Sequence, residues 1–217
     1  MKTRLAASYG IDRLPIEPLP AGTNVLVTGS PLDGAREILF ELLARTSEEE
    51  GLIFVTADTD YQSAVETYED RASAFDPSRM CVIDATQAPE GAENASVRYV
   101  SSPSDLTGIG IEFSSLYESL RASGLDQIRF GLDSISTLLI YADGFRPVYR
   151  FLHTITSRIR TADGLGVFTI DPDAVEDEAF ATVAQSFDVR VDVRDGEDGP
   201  EFRLQGHEGR PEGWHAL

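Results

Sequence analysis

Short apolar runs alternate with amphipathic stretches along this chain. Asn24–Thr28, Leu52–Thr56, Met80–Asp84, Val97–Val100, Ile128–Leu132 and Leu165–Ile170 have the length and apolar content of buried strands. Helical spacing recurs between them. Ala35–Thr46 puts Ile38, Leu39, Leu42 and Leu43 on one face, and Tyr61–Ala74 predicts a second helix. Ser104 is a good N-cap for a helix through Arg121, with Leu106, Ile109, Phe113, Leu116, Tyr117 and Leu120 recurring at helical intervals. Val148–Arg160 predicts a helix after the breaker Pro147, and Asp177–Ala184 a short one. Thr86–Ala95, rich in Ala, Glu, Gly and Pro, reads as an exposed loop. Phe187–Val193 and Glu201–Leu204, separated by Asp195-Gly-Glu-Asp-Gly-Pro, read as a β-hairpin.

Strands separated by helices require crossover connections. The predicted fold class is therefore α/β: a mostly parallel twisted sheet flanked by helices on both faces, closed by a C-terminal hairpin. Neither an internal repeat nor an interdomain linker interrupts this pattern. Residues 1–217 are expected to form a single domain with its core at about 20–194, and 195–217 to supply the hairpin and an acidic, arginine-bearing tail. Trp214 in that tail is expected to dock on the body of the domain or on a partner.

Composition narrows the function classes. The 217 residues carry 37 acidic and 18 basic side chains, a net charge of −19. That balance, with no basic cluster interleaved with aromatics, speaks against nucleic acid. Arg146, Arg150, Arg158 and Arg160 form the densest basic grouping, which reads as a solvated face or a subunit contact. Lys2 is the only lysine among the 18 basic residues, a composition that resembles proteins of salt-loving archaea. The apolar runs are too short for a bilayer and Met1–Ile11 holds no signal-peptide stretch, so the expectation is a cytoplasmic protein with no membrane partner. Cys81 is the single cysteine, which excludes an internal disulfide and a multi-cysteine zinc site. His153 reads as a surface or packed residue, and His207 and His215 lack further ligands to complete a metal set. Ser134 and Ser136 have no nearby histidine to activate them.

The informative segment runs from Leu19 to Arg36, where a strand, a glycine-bearing turn and a helix follow one another. That arrangement lets backbone N–H groups and a helix N-terminus hold phosphate, and Gly29 and Gly34 stand at the two glycines of G-x-x-x-x-G-K-[ST]. Here the sequence resembles the RecA/RadA/KaiC group of P-loop ATPases, most closely the archaeal KaiC-like proteins, over roughly Pro20–Val193. The resemblance implies a RecA-like fold and a cofactor site for ATP and magnesium at Gly29, Ser30, Pro31, Gly34, Ala35 and Arg36, completed by Asp133. The group's loop runs Gly-x-Pro-Gly-x-Gly-Lys-Thr, and Gly29, Pro31 and Gly34 match it. Leu32 replaces a glycine where phosphate would approach the backbone, and Asp33 adds a carboxylate. Ala35 stands at the lysine that neutralises phosphate charge, and Arg36 at the hydroxyl that binds magnesium. Lys2 would have to reach in from the N-terminus. Charge-assisted hydrogen bonds are worth about 1.5–3 kcal/mol each, so these replacements together remove a factor of about hundreds in affinity.

Ile128–Tyr141 looks like the Walker B strand and its continuation, with Asp133 at the magnesium-linked aspartate; capping of a following helix is the other reading of Asp133. Asp58 and Asp60 fall where the group carries its catalytic glutamate, or else belong to a solvated loop. The expectation is a non-catalytic KaiC/RecA-like module with a degenerate phosphate loop and no cofactor, acting through an unidentified protein partner in signalling or regulation. The alternative is a nucleotide-binding switch or weak ATPase using ATP and magnesium, with Arg36, Asp133 and Asp58 in altered roles. The resemblance also raises a homo-oligomer, since the group assembles as rings with ATP between subunits.

Overall fold

The computed structural model describes residues 7–72, 76–86, 96–206 and 213–217. Each apolar run emerges as a strand of one sheet: β3 (Asn24–Thr28), β4 (Glu50–Thr56), β5 (Met80–Asp84), β6 (Val97–Tyr99), β7 (Gln127–Leu132) and β8 (Leu165–Ile170). β9 (Val189–Gly196), β10 (Gly199–Gln205) and β11 (His215–Ala216) extend it, and β1 (Ser8–Tyr9) pairs with β2 (Leu19–Pro20) apart from it. Among the described residues the main sheet has nine strands in the order β11-β10-β9-β3-β8-β7-β4-β5-β6. All neighbours from β9 to β6 are parallel, and β10 runs antiparallel to both β9 and β11.

The middle of this sheet is β3-β8-β7-β4, whose residues are buried on both faces except at the Gln127 end of β7. Helices on both faces explain the near-continuous apolar runs. On one face α1 (Ala35–Leu43) and α2 (Tyr61–Glu69) pack with Tyr9, Ile11 and Leu14 of the N-terminal segment. On the other, α3 (Leu106–Ala122), α4 (Ile135–Tyr141), α5 (Phe145–Thr161) and α6 (Asp177–Ala184) close a second core. Alternation decides the face: Val25 and Val27 of β3 enter the first core, and Leu26 between them enters the second. This is the expected α/β, RecA-like architecture with its C-terminal hairpin.

Several boundaries differ from the sequence reading for local reasons. Asp105, not Ser104, caps α3 by accepting the Gly108 N–H at 2.8 Å. α5 begins at Phe145 and takes Pro147 into its first turn, where an absent N–H costs nothing. The helix expected to follow Asp133 is α4, Ile135–Tyr141, whose bounds the short apolar run Leu138–Tyr141 did not define. The hairpin strands extend through Gly196 and Gly199, leaving Glu197-Asp198 as the turn. The predicted 86–95 loop lies largely outside the described residues, as do Lys2, His207 and the end of the predicted 61–74 helix. Among the described residues no helix is long and apolar enough to cross a membrane.

Candidate functional site

Parallel strands deliver their C-terminal ends to one edge of the sheet, where α/β folds build sites. Here that edge gathers the loop after β3, Asp58 after β4, Asp133 after β7 and Asp171 after β8. A cavity of about 30 Å³ lies between them, lined by Gly29, Pro31, Ala35 and Arg36 on one side and by Asp58, Asp133, Ser134, Thr169 and Asp171 on the other. Small-ligand sites occupy roughly 300–1,000 Å³, so this space has room for water rather than a triphosphate.

The loop itself is turned inward. Ser30 caps a single 3₁₀ turn over Pro31–Asp33: its Oγ accepts the Leu32 N–H at 3.2 Å and its carbonyl the Asp33 N–H at 3.0 Å. Two N–H groups are thereby taken up inside the loop. Leu32, expected where phosphate would approach the backbone, is 95% exposed. Gly34 has φ +98°, and a Cβ there would lie 2.6 Å from Pro200 Cβ of β10. A Cβ on Gly29 would lie 2.9 Å from the Val193 carbonyl oxygen of β9. Both motif glycines are thus required by the hairpin packed against them, independently of any phosphate.

The side chains behind the loop are also engaged. Ala35 is buried. Arg36 donates to Thr59 Oγ1 at 2.8 Å, with its guanidinium 5.6 Å from the Phe40 ring centre. Asp133 is buried; its Oδ1 accepts the Ala57 N–H and its Oδ2 the Thr56 hydroxyl, each at 2.7 Å. It does not cap α4, a role taken by Ser134, whose Oγ accepts the Thr137 N–H at 3.0 Å. Burial, reinforced by the charge of Asp58, pushes the Asp133 carboxyl from 3.8 up to about 7 against the opposing hydrogen bonds from Ala57 and Thr56.

Of the two acids after β4, only Asp58 reaches the cavity, where it accepts the Thr137 hydroxyl. Asp60 caps α2 at the surface, accepting the Ser63 N–H at 3.0 Å and its hydroxyl at 3.1 Å, and these bonds hold its carboxyl below the usual range. Ser136 serves Asp171, accepting its N–H at 2.9 Å. His153 is exposed on α5, and His215 lies in β11 against Phe202. Asp171 and Thr169 were missed by the sequence reading; their signal was position, the last turn of a parallel strand at the same edge. Among the described residues no group of three or more His, Cys, Asp or Glu side chains is placed to hold a metal ion.

Three comparisons bear on this geometry. A family of unknown function (DUF7504) matches the chain over residues 22–193. No curated protein matches the chain. Among solved structures, the fold is similar to the crystal structure of a KaiC-like protein, PH0186, from the hyperthermophilic archaeon Pyrococcus horikoshii OT3. The TM-score is 0.63 at 14% identity, covering 98% of this chain and 93% of that one.

Proposed function

The chain belongs to DUF7504, a family of unknown function, and from its KaiC-like fold we propose that it is a non-catalytic KaiC/RecA-like module with a degenerate phosphate loop, acting by protein–protein interaction in signalling or regulation. One observation carries this reading: the cavity at the loop is lined by Asp58, Asp133 and Asp171 against the single guanidinium of Arg36. Burial keeps Asp133 protonated up to about pH 7, so the repulsion of phosphate comes from Asp58 and Asp171, and neither a lysine at position 35 nor a hydroxyl at position 36 offsets it. The residues present do not fit a magnesium nucleotide. One lysine among 18 basic residues and a net charge of −19 support a salt-loving archaeal setting for this module.

The alternative, a nucleotide-binding switch or weak ATPase, draws on Arg36, Asp58 and Asp133 sharing one cavity. Thermal melting in molar KCl with millimolar Mg-ATP separates the two. A ligand at a hundred times its dissociation constant adds about 2.7 kcal/mol of stability. We expect no shift; a clear upward shift abolished by Asp133→Asn would establish the alternative.

A further inference from the structure

α3 and α5 lie side by side over the second core, and their outer seam opens into two adjoining cavities of about 620 and 440 Å³ that share Ser114 and Arg158. Ile111, 61% exposed, stands in the larger one with Leu106, Phe151 and Ile155. From Leu106 to Tyr117 the seam runs about 16 Å along α3 at 1.5 Å per residue, the length of three helical turns.

The charge at this seam is opposite to that of the molecule. In a chain with 37 acidic side chains, ten arginines form ion pairs among the described residues. Arg146, Arg150 and Arg158 form none, and all three are exposed; Arg158 donates to the Ser114 hydroxyl instead. Arg150 and Arg158 line the larger cavity and Arg158 the smaller as well, and Arg146 lies one turn before Arg150 on α5. Among the described residues no carboxylate lines the larger cavity, and Glu118 is the one acid lining the smaller.

Gly110 adds an independent observation. Inside a helix, glycine is less favourable than any residue but proline. Gly108 has an internal reason, because a Cβ there would collide with the Asp105 carboxylate that caps the helix. A Cβ on Gly110 would meet nothing within 4 Å, so this glycine leaves the α3 backbone bare at the cavity without any packing need.

We propose that the α3/α5 seam is the docking groove for an acidic amphipathic helix of a partner protein, about three turns long. It seats apolar side chains over Ile111 and Phe151 beside bare Gly110, and sets its carboxylates against Arg146, Arg150 and Arg158. An apolar floor with an arginine rim selects this occupant over a phosphate backbone, which offers no apolar face. The inference rests on the reading that the chain acts through protein partners, and gives that reading a surface.

The test uses the full chain and a fluorescent, end-capped helical peptide of about fourteen residues with leucines at i, i+4, i+7 and glutamates flanking them, beside the same peptide with lysine for glutamate. Anisotropy is read in the lowest KCl that preserves the native circular dichroism spectrum. The glutamate peptide is expected to bind about tenfold or more tightly than the lysine peptide, although a net charge of −19 favours the reverse order. Gly110→Leu fills open space with a better helix former, so it keeps the fold, and together with Arg150→Glu/Arg158→Glu it should weaken binding about tenfold or more. Equal or tighter binding of the lysine peptide, or glutamate-peptide binding untouched by Gly110→Leu, would overturn the groove. So would a dimer in sedimentation that Gly110→Leu dissociates, which would make a second copy the occupant. The Mg-ATP melt judges the non-catalytic reading separately. Absent peptide binding with no ATP shift removes the groove alone, and an ATP shift with peptide binding intact removes that reading alone.

Discussion

Thr56 at the end of β4 donates its hydroxyl to Asp133 Oδ2 at the end of β7, 2.7 Å away, tying together two neighbouring strand ends beneath the loop. The tie holds a carboxyl that burial has raised from 3.8 to about 7. Between those values the native state keeps a proton that the unfolded chain has released. This group's contribution to stability is therefore full below pH 3.8 and lost as pH rises through 7. The interval corresponds to about 4 kcal/mol at most. Asp133→Asn, which keeps an acceptor for Ala57, should flatten the fall in stability between pH 4 and 7 and exceed the wild type at pH 8. Urea midpoints across that range, at constant KCl, check it.

Arg129 and Glu50 form an ion pair with exposures of 0% and 2%, Nε to Oε2 at 2.9 Å, at the opposite end of the sheet from the cavity. Arg129 also donates to the Leu42 and Gly10 carbonyls at 2.8 and 2.9 Å, joining β7 to α1 and the N-terminal segment. Removing one partner strands the other charge. Glu50→Gln or Arg129→Met is expected to cost about 3–5 kcal/mol, and the double change to Met at both positions to recover part of that. Denaturant midpoints at unchanged m-value report the difference.

Gly34 tests what the motif glycines are for. With φ +98° and Pro200 Cβ 2.6 Å from the added atom, Gly34→Ala should cost about 2–4 kcal/mol from strain and crowding together. Pro200→Gly should return the crowding share. A loss of that size in protein free of nucleotide, read by thermal melting, assigns the glycine to hairpin packing.

Trp214 is the only tryptophan, so its fluorescence reports the C-terminal tail alone. The guanidiniums of Arg194 and Arg203 sit 4.1 and 4.8 Å from its ring centre, and β11 pairs with β10 beside it. Cation–π contacts at exposed sites are worth about 0.5–1 kcal/mol each. Arg194→Ala/Arg203→Ala should shift the emission to the red while the far-ultraviolet circular dichroism stays native.

The pattern of the chain alone determined the layered α/β fold. Asn24–Thr28, Ile128–Leu132 and Leu165–Ile170 are apolar on both faces, and only a strand covered by helices satisfies such a run. The identities of Ala35 and Arg36, which set this loop apart from the lysine and hydroxyl of the group it resembles, are likewise read without coordinates. Tertiary structure decided what the remaining site residues do. Asp58 and Asp60 are two positions apart and indistinguishable in sequence. The turn after β4 sends Asp58 to Thr137 and the cavity, and leaves Asp60 as the cap of α2. Asp171 joins the cavity from a residue far along the chain, and Gly34 owes its place to Pro200, distant in sequence but packed against it. Local periodicity records which face of an element is buried. It does not record which distant side chain completes a hydrogen bond or occupies the space above a Cα, since strand order sets those neighbours.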